Sequence, residues 1–117
     1  MTTRGFEAHA RHREGVVIID LSGEVNKFSG ATLTAAYGEA TEGNSSSVLL
    51  NFLDVDYINS TGIAVIVALL AQARTEARRV TAYGLTEHYK EIFEITRLSD
   101  FMAIYEDEDN AVAQVPA

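Results

Sequence analysis

Three short, largely apolar runs, each four to six residues long, constrain the fold of this chain most strongly. Runs of this kind, bounded by glycine or polar residues, are typical of buried strands, and they lie at Val16–Leu21, Ser47–Phe52 and Val80–Tyr83. Between them, apolar residues recur at helical spacing, which predicts helices over 30–42 and from Ser60 or Thr61 to about Arg78. Because strands alternate with helices, we expect βαβ units and a largely parallel sheet.

The two ends of the chain add weaker elements. An edge strand is predicted near the start, at Phe6–Arg13. Near the end we predict a helix at Thr86–Thr96, a short strand at Phe101–Tyr105 and a last helix at Asp107–Val115. The single proline is Pro116, so nothing divides the interior, and residues 1–117 are expected to form one domain. The predicted fold is a small α/β domain with a mixed, mostly parallel sheet of four to five strands and about four helices.

The charge balance limits the partners that the chain can have. Nine Lys and Arg stand against seventeen Asp and Glu, for a net charge of -8, so binding to nucleic acid or to an anionic membrane is not expected. The chain has no cysteine, and its longest apolar stretch, Ile63–Ala71, is less than half of a membrane span. The sequence also has neither the Gly-x-x-x-x-Gly-Lys motif of phosphate-binding loops nor the Gly-x-Ser-x-Gly motif that presents a nucleophilic serine in hydrolases. We therefore expect a cytoplasmic protein without cofactor, metal, catalytic residues or enzymatic activity.

The segment Asn59-Ser60-Thr61-Gly62 follows the second buried strand by one short loop and begins the long helix. Asn, Ser and Thr are favoured helix caps, because their side-chain oxygens accept amide hydrogens that lack a partner. The carboxyl edge of a parallel sheet is also where ligands and reactive groups collect, and a helix start favours negative charge. On spacing alone, however, a Ser-Thr-Gly at a helix start is most often a structural cap.

Three motifs together make the chain similar to a known family over about residues 5–115. They are Leu21-Ser22-Gly23-Glu24-Val25-Asn26, then Asn59-Ser60-Thr61-Gly62-Ile63 between an apolar strand and an apolar helix, and then an apolar helix and a short strand at Ile92–Thr96, Leu98 and Phe101–Tyr105. In this order and spacing the chain resembles a STAS domain, the fold shared by anti-sigma factor antagonists and the cytoplasmic tails of sulfate transporters. The resemblance implies a SpoIIAA-like fold.

The resemblance also implies site residues. The phosphoacceptor of the family motif maps onto Ser60, with Thr61 as the alternative. Partner contacts are expected at Asn26, Tyr57, Ile58, Asn59, Ser60, Thr61 and Gly62. Asn59 and Asn26 stand where the family has acidic residues, which weakens any carboxylate assistance at the site. Tyr57 and Ile58 either form an exposed apolar patch or pack onto the sheet, and Gly62 is expected to let a partner approach the backbone closely.

Two functions are consistent with this resemblance. In the first, the chain is an anti-sigma factor antagonist that binds an anti-sigma factor with serine kinase activity, so that a sigma factor is released. Phosphorylation of Ser60 ends this binding, and a PPM-type phosphatase restores it. In the second, the chain is a STAS scaffold that is not switched by phosphorylation, as in a stressosome-like or lipid-transport complex. Asn26 and Asn59, which replace the family's acidic residues, are the reason to consider it. A homodimer is an open alternative under both.

Overall fold

The computed structural model describes residues 5–43 and 45–114. Five strands and four α-helices form in these ranges: β1 (Glu7–Arg13), β2 (Val16–Val25), α1 (Gly30–Ala40), β3 (Ser47–Ile58), α2 (Ser60–Thr75), β4 (Arg79–Tyr83), α3 (Glu87–Ile95), β5 (Ala103–Tyr105) and α4 (Glu108–Ala113). Short 3-10 helices lie at Lys27–Ser29 and Leu98–Asp100. The predicted small α/β fold is confirmed, whereas Val115, the predicted end of the last helix, lies outside the described residues.

The strands form one sheet in the order β1-β2-β3-β4-β5. The β1–β2 pair is antiparallel, and the other three pairs are parallel, as the alternation of strands and helices predicts. Because each parallel connection leads to the neighbouring strand and such connections are right-handed, α1, α2 and α3 all fall on the same face of the sheet. The other face receives only α4 among the described helices.

The hairpin between β1 and β2 turns through two residues, Glu14 and Gly15, between the paired residues Arg13 and Val16. Both turn residues have positive φ, 48° and 82°, as a type I′ turn requires. This tight turn fixes the register of β1, so that Ala8 and Ala10 face the helices while Arg11 and Arg13 face α4.

Apolar side chains cover both faces of the sheet. The larger core lies beneath α1, α2 and α3 and includes Val17, Leu50, Tyr37, Ile66 and Phe93, all at most about 1% exposed. The smaller core lies beneath α4 and is formed by Val16, Ile18, Leu49, Tyr83, Ala111 and Val112. Burial on both faces explains why the central strands are continuous apolar runs in the sequence.

The structure corrects the predicted loop at Leu53–Asn59. Instead β3 continues to Ile58 and β2 continues to Val25, and the two extensions pair in parallel through register shifts. This part resembles a loop in the sequence because the β3 extension is mostly exposed and carries charged residues: of Leu53–Ile58, only Ile58 is buried and only Val55 is partly buried. The predicted long helix is also too long: α2 ends at Thr75, and Ala77 adopts a positive φ of 58° that directs the chain into β4.

Candidate functional site

Two asparagines lie side by side at the carboxyl edge of the sheet. Asn26 directly follows Val25 and Asn59 directly follows Ile58, and Val25 and Ile58 are register partners in the parallel β2–β3 pair. The amide of Asn59 donates to the carbonyl oxygen of Val25 at 3.2 Å, which joins the two strand ends. The extension of both strands therefore brings together two residues that lie 33 positions apart in the sequence.

Each asparagine caps the helix that follows it. The Oδ1 atom of Asn59 accepts from the amide of Gly62 at 2.8 Å and from the hydroxyl of Thr61 at 2.7 Å. In the same way, the Oδ1 atom of Asn26 accepts from the amide of Phe28 at 2.8 Å. Both bonds use the carbonyl oxygen, an atom that an aspartate would also supply. Asparagine thus preserves the caps while it removes a negative charge beside Ser60.

Ser60 is the first residue of α2, and its side chain is exposed. Within the described ranges, its hydroxyl has no hydrogen-bond partner, whereas the hydroxyl of Thr61 donates to Asn59. The first i to i−4 bond of the helix runs from Ile63 to Asn59, so the amides of Ser60 and Thr61 lie before it. Amides at this position favour a negative group, which suits a serine that carries a phosphate.

Gly62 has a different role from the expected one. It is buried, and a Cβ atom at this position would lie 2.1 Å from the carbonyl oxygen of Val25. The backbone that approaches Gly62 closely is therefore that of the protein itself, at the end of β2. The glycine lets the start of α2 pack against this strand and so positions Ser60 at the edge.

The structure gives Tyr57 and Ile58 opposite environments. Tyr57 is 53% exposed, whereas Ile58 is only 5% exposed and packs in the larger core. The amide of Ile58 donates to the Tyr89 hydroxyl at 2.9 Å, so its backbone is engaged as well. Of the two apolar side chains that the sequence places here, only Tyr57 is available to a partner.

Sequence reasoning missed Phe28. Its side chain is 79% exposed, in the 3-10 helix that contacts α2 and begins after Asn26. A large apolar residue between the turn-forming residues Asn26 and Ser29 belongs to no periodic pattern that would bury it, and this could have marked it. We define the Ser60 surface as the exposed or partly exposed residues Asn26, Phe28, Tyr57, Asn59, Ser60 and Thr61.

The Ser60 surface offers both hydrogen-bonding and apolar groups to solvent. It combines a hydroxyl, two capped helix starts and two exposed aromatic rings. Across residues 5–43 and 45–114 there is no group of three or more His, Cys, Asp or Glu placed to hold a metal ion. In the same ranges, no helix has the length and apolar character needed to cross a bilayer.

Comparisons with known proteins identify the family of this chain. The family model of the STAS domain matches residues 7–111. The chain belongs to the STAS domain family. One relative is the anti-sigma-B factor antagonist of Listeria monocytogenes, which is 29% identical over 87 residues and is matched over 74% of this chain and 75% of its own length.

Two solved structures share the fold of this STAS protein. An anti-sigma factor antagonist from Mycobacterium paratuberculosis superposes with a TM-score of 0.80 at 17% identity, covering 95% of this chain and 94% of that one. The Bacillus cell fate determinant SpoIIAA, in its phosphorylated form, superposes with a TM-score of 0.68 at 18% identity, covering 96% of this chain and 100% of its own. At these identities the likeness shows the fold, and the predicted SpoIIAA-like fold is confirmed.

Proposed function

We propose that this protein is an anti-sigma factor antagonist that binds an anti-sigma factor with serine kinase activity and is released by phosphorylation of Ser60. The observation that carries the proposal is the exposed Ser60 hydroxyl, which no described residue engages, at the start of α2. The names of the Listeria relative and the Mycobacterium structure support the antagonist role.

The unmodified surface suits a protein partner. Exposed aromatic side chains such as Phe28 and Tyr57 are the residue type that most often provides binding energy in interfaces. The asparagines add hydrogen-bonding groups without charge, which lowers the cost of removing the surface from water. In this state the antagonist occupies the anti-sigma factor, and the sigma factor is released.

Phosphoryl transfer uses the hydroxyl of Ser60 as the nucleophile. A bond forms between its Oγ atom and the γ-phosphorus of ATP, while the bond from that phosphorus to the β–γ bridging oxygen breaks and ADP leaves. The hydroxyl proton passes to a base of the kinase. Ser60 is favoured over Thr61 as the acceptor because the Thr61 hydroxyl already donates to Asn59.

The phosphate then opposes binding through charge. Phosphoserine carries about -1.5 to -2 at pH 7, next to caps from which the family's carboxylates are missing. The amides at the start of α2 stabilise this charge in the unbound protein, whereas a partner that packs over it removes it from water. An unpaired charge buried in an interface costs about 3–5 kcal/mol, enough to release the partner. A PPM-type phosphatase would restore the unmodified state.

The two asparagines do not distinguish the scaffold alternative from a switched antagonist. It rested on Asn26 and Asn59, but both side chains form the caps that an aspartate would form. Since these replacements leave the geometry of the Ser60 surface in place, they do not favour an unswitched protein over a switched one.

The test is phosphorylation of purified variants by the cognate kinase with Mg-ATP, followed by mass spectrometry. We expect one phosphate on the wild type and on Thr61→Val, and none on Ser60→Ala. Equal incorporation into wild type and Ser60→Ala would remove Ser60 from this role. Ser60→Asp, which adds a charge at the same place, is expected to weaken kinase binding, and unchanged affinity would contradict the charge mechanism.

A further inference from the structure

A second candidate site lies at the other end of α2. A groove of about 680 Å³ opens between the last turns of α2, the start of β4 and the segment that connects α3 to β5. This volume lies within the range of small-molecule sites, about 300–1,000 Å³. Its walls are apolar and include Val67, Leu70, Leu98 and Phe101. Val67 is the groove residue of α2 nearest to Ser60, seven residues or about 10 Å along the helix, and Arg74 lies fourteen residues or about 21 Å away, so the groove is separate from the Ser60 surface.

The charge of the groove is opposite to that of the protein. Four arginines line it, Arg74, Arg78, Arg79 and Arg97, and none of the twelve lining residues is acidic. These four are nearly half of the nine basic residues in a chain with a net charge of -8. An apolar recess with several cations at its rim is complementary to an anion that carries an apolar part.

Two of the arginines have no carboxylate partner among the residues that the structure describes. Arg78 pairs with Glu76, and Arg97 pairs with Asp100 at 2.9 Å. In the described parts of the chain, Arg74 and Arg79 form neither an ion pair nor a side-chain hydrogen bond, and the Arg74 guanidinium lies 5.8 Å from the centre of the Phe101 ring. The preference of cations for helix ends accounts for Arg74 but not for Arg79, which lies on β4.

We propose that this groove binds an amphiphilic carboxylate, a molecule with one anionic head group and an unbranched apolar chain, such as a medium-chain fatty acid. Arg74 and Arg79 supply the charge that attracts the carboxylate, because among residues 5–43 and 45–114 they are the groove cations that pair with no acid. The apolar walls, with the exposed ring of Phe101, receive the chain. The site does not depend on phosphorylation of Ser60 or on any role of the protein in sigma factor control.

The direct test is an NMR titration of the ¹⁵N-labelled full chain with sodium decanoate, read at the Nε–H signals of the arginines and the amides of Leu98 and Phe101. We expect saturable shifts at the groove. Decyltrimethylammonium has the same chain with the opposite charge, and acetate has the head group without the chain. Both are expected to bind at least about tenfold more weakly.

Variants separate the groove from general charge effects. Arg79→Gln and the double variant Arg74→Gln/Arg79→Gln are expected to weaken decanoate binding, the double variant by about tenfold or more. Lys27→Gln removes the same charge at the opposite end of α2 and should bind decanoate like the wild type. Phe101→Ala is expected to weaken decanoate but not acetate.

Four results would overturn the proposal. The first three are the absence of saturable shifts at the groove, equal binding of decanoate and decyltrimethylammonium, and equal weakening by Lys27→Gln and the double variant. The fourth is a groove that binds an acidic peptide but not decanoate. Since the arginines are exposed or only partly buried, signal dispersion in each variant spectrum shows whether the fold is retained.

Discussion

Two polar regions of this protein use their side chains in opposite ways. On the Ser60 surface, the asparagines cap helices, and the described structure leaves the Ser60 hydroxyl without a hydrogen-bond partner. Beneath α4, by contrast, the polar side chains of β1, β2, β3 and β4 bond to one another and to Glu108. The contrast indicates that the polar side chains beneath α4 stabilise the fold, whereas the exposed Ser60 hydroxyl is available for an interaction.

Glu108 is the centre of the region beneath α4. It accepts from Arg11, from Arg13 at 2.7 Å and from the Tyr83 hydroxyl at 2.7 Å. Arg11 also donates to Asp20 at 2.7 Å, so one guanidinium joins α4 to β2. The hydrogen bond from Arg11 is the main cause that lowers the pKa of Glu108 to about 2, although partial burial opposes it. These bonds hold the last described helix against the antiparallel edge of the sheet.

The largest effect is expected where the Ser60 surface depends on packing. In Gly62→Ala, the new Cβ would meet the carbonyl group of Val25 at 2.1–2.6 Å, and backbone cannot move aside as a side chain can. We expect a loss of about 3 kcal/mol or more in the free energy of unfolding, measured by urea denaturation. Gly38→Ala is the matched control, since nothing lies within 4 Å of its Cβ position on α1, and it should be neutral or slightly stabilising. Equal effects of the two variants would contradict the close packing at Gly62.

Glu108→Gln tests the region beneath α4. We expect it to lower the free energy of unfolding by about 1–2 kcal/mol at pH 7, because charge-assisted hydrogen bonds are lost at a partly exposed site. The pKa of Glu108 is about 2 in the folded protein and near 4.5 without these partners. Its contribution is therefore fully present above about pH 4.5 and is lost as the pH falls toward 2.

The readout is the free energy of unfolding as a function of pH. Between pH 4.5 and 2, the curve of Glu108→Gln should be flatter than that of the wild type. Glu87→Gln is a suitable control, because this carboxylate is exposed and has one long bond to Lys90 at 3.3 Å. Parallel curves for wild type and Glu108→Gln would contradict a stabilising role for the lowered pKa.

Asn59→Ala is expected to have an intermediate effect. It removes the acceptor for the Gly62 amide and the Thr61 hydroxyl, and a lost helix cap costs about 1 kcal/mol of folding stability. Asn59→Asp supplies the same oxygen and should keep the cap, so thermal unfolding of the two variants separates capping from charge. If Asn59→Asp is destabilised as much as Asn59→Ala, the Oδ1 atom is not the stabilising group.

The smallest effect on stability is expected on the exposed part of the Ser60 surface. Ser60→Ala and Phe28→Ala should change the free energy of unfolding by less than about 0.5 kcal/mol, because neither side chain is buried. Phe28→Ala should nevertheless weaken binding to the anti-sigma factor by about 1–2 kcal/mol, measured by calorimetry. Exposed Ile95 lies on α3, and Ile95→Ala is the control for loss of an exposed apolar side chain. If Phe28→Ala lost much stability but bound the anti-sigma factor with unchanged affinity, Phe28 would serve the fold and not binding.

The sequence predicted those parts of the fold whose signal is local. Val16–Leu21 and Ser47–Phe52 are buried on both faces, so they appear as continuous apolar runs, and the family motifs placed Ser60 at the start of a helix. The extensions to Val25 and Ile58 were missed because they contain polar residues and few buried apolar ones.

Long-range contacts explain the remaining differences. Glu108 bonds to Arg11 across 97 positions of the sequence, which no local pattern could show. The predicted role of Gly62 was wrong for the same reason, since Val25, its close neighbour in space, belongs to another element. The arginine-lined groove likewise requires the ends of α2 and α3 to lie close together, which no local sequence pattern could show.

The most direct test of the central claim is the affinity of the anti-sigma factor for two preparations of the same chain, one unmodified and one phosphorylated completely at Ser60. Isothermal titration calorimetry under one set of salt conditions would give both dissociation constants. The charge mechanism predicts that phosphorylation weakens binding by about 100-fold or more, which corresponds to about 2.7 kcal/mol. Equal affinity of the two preparations would contradict it.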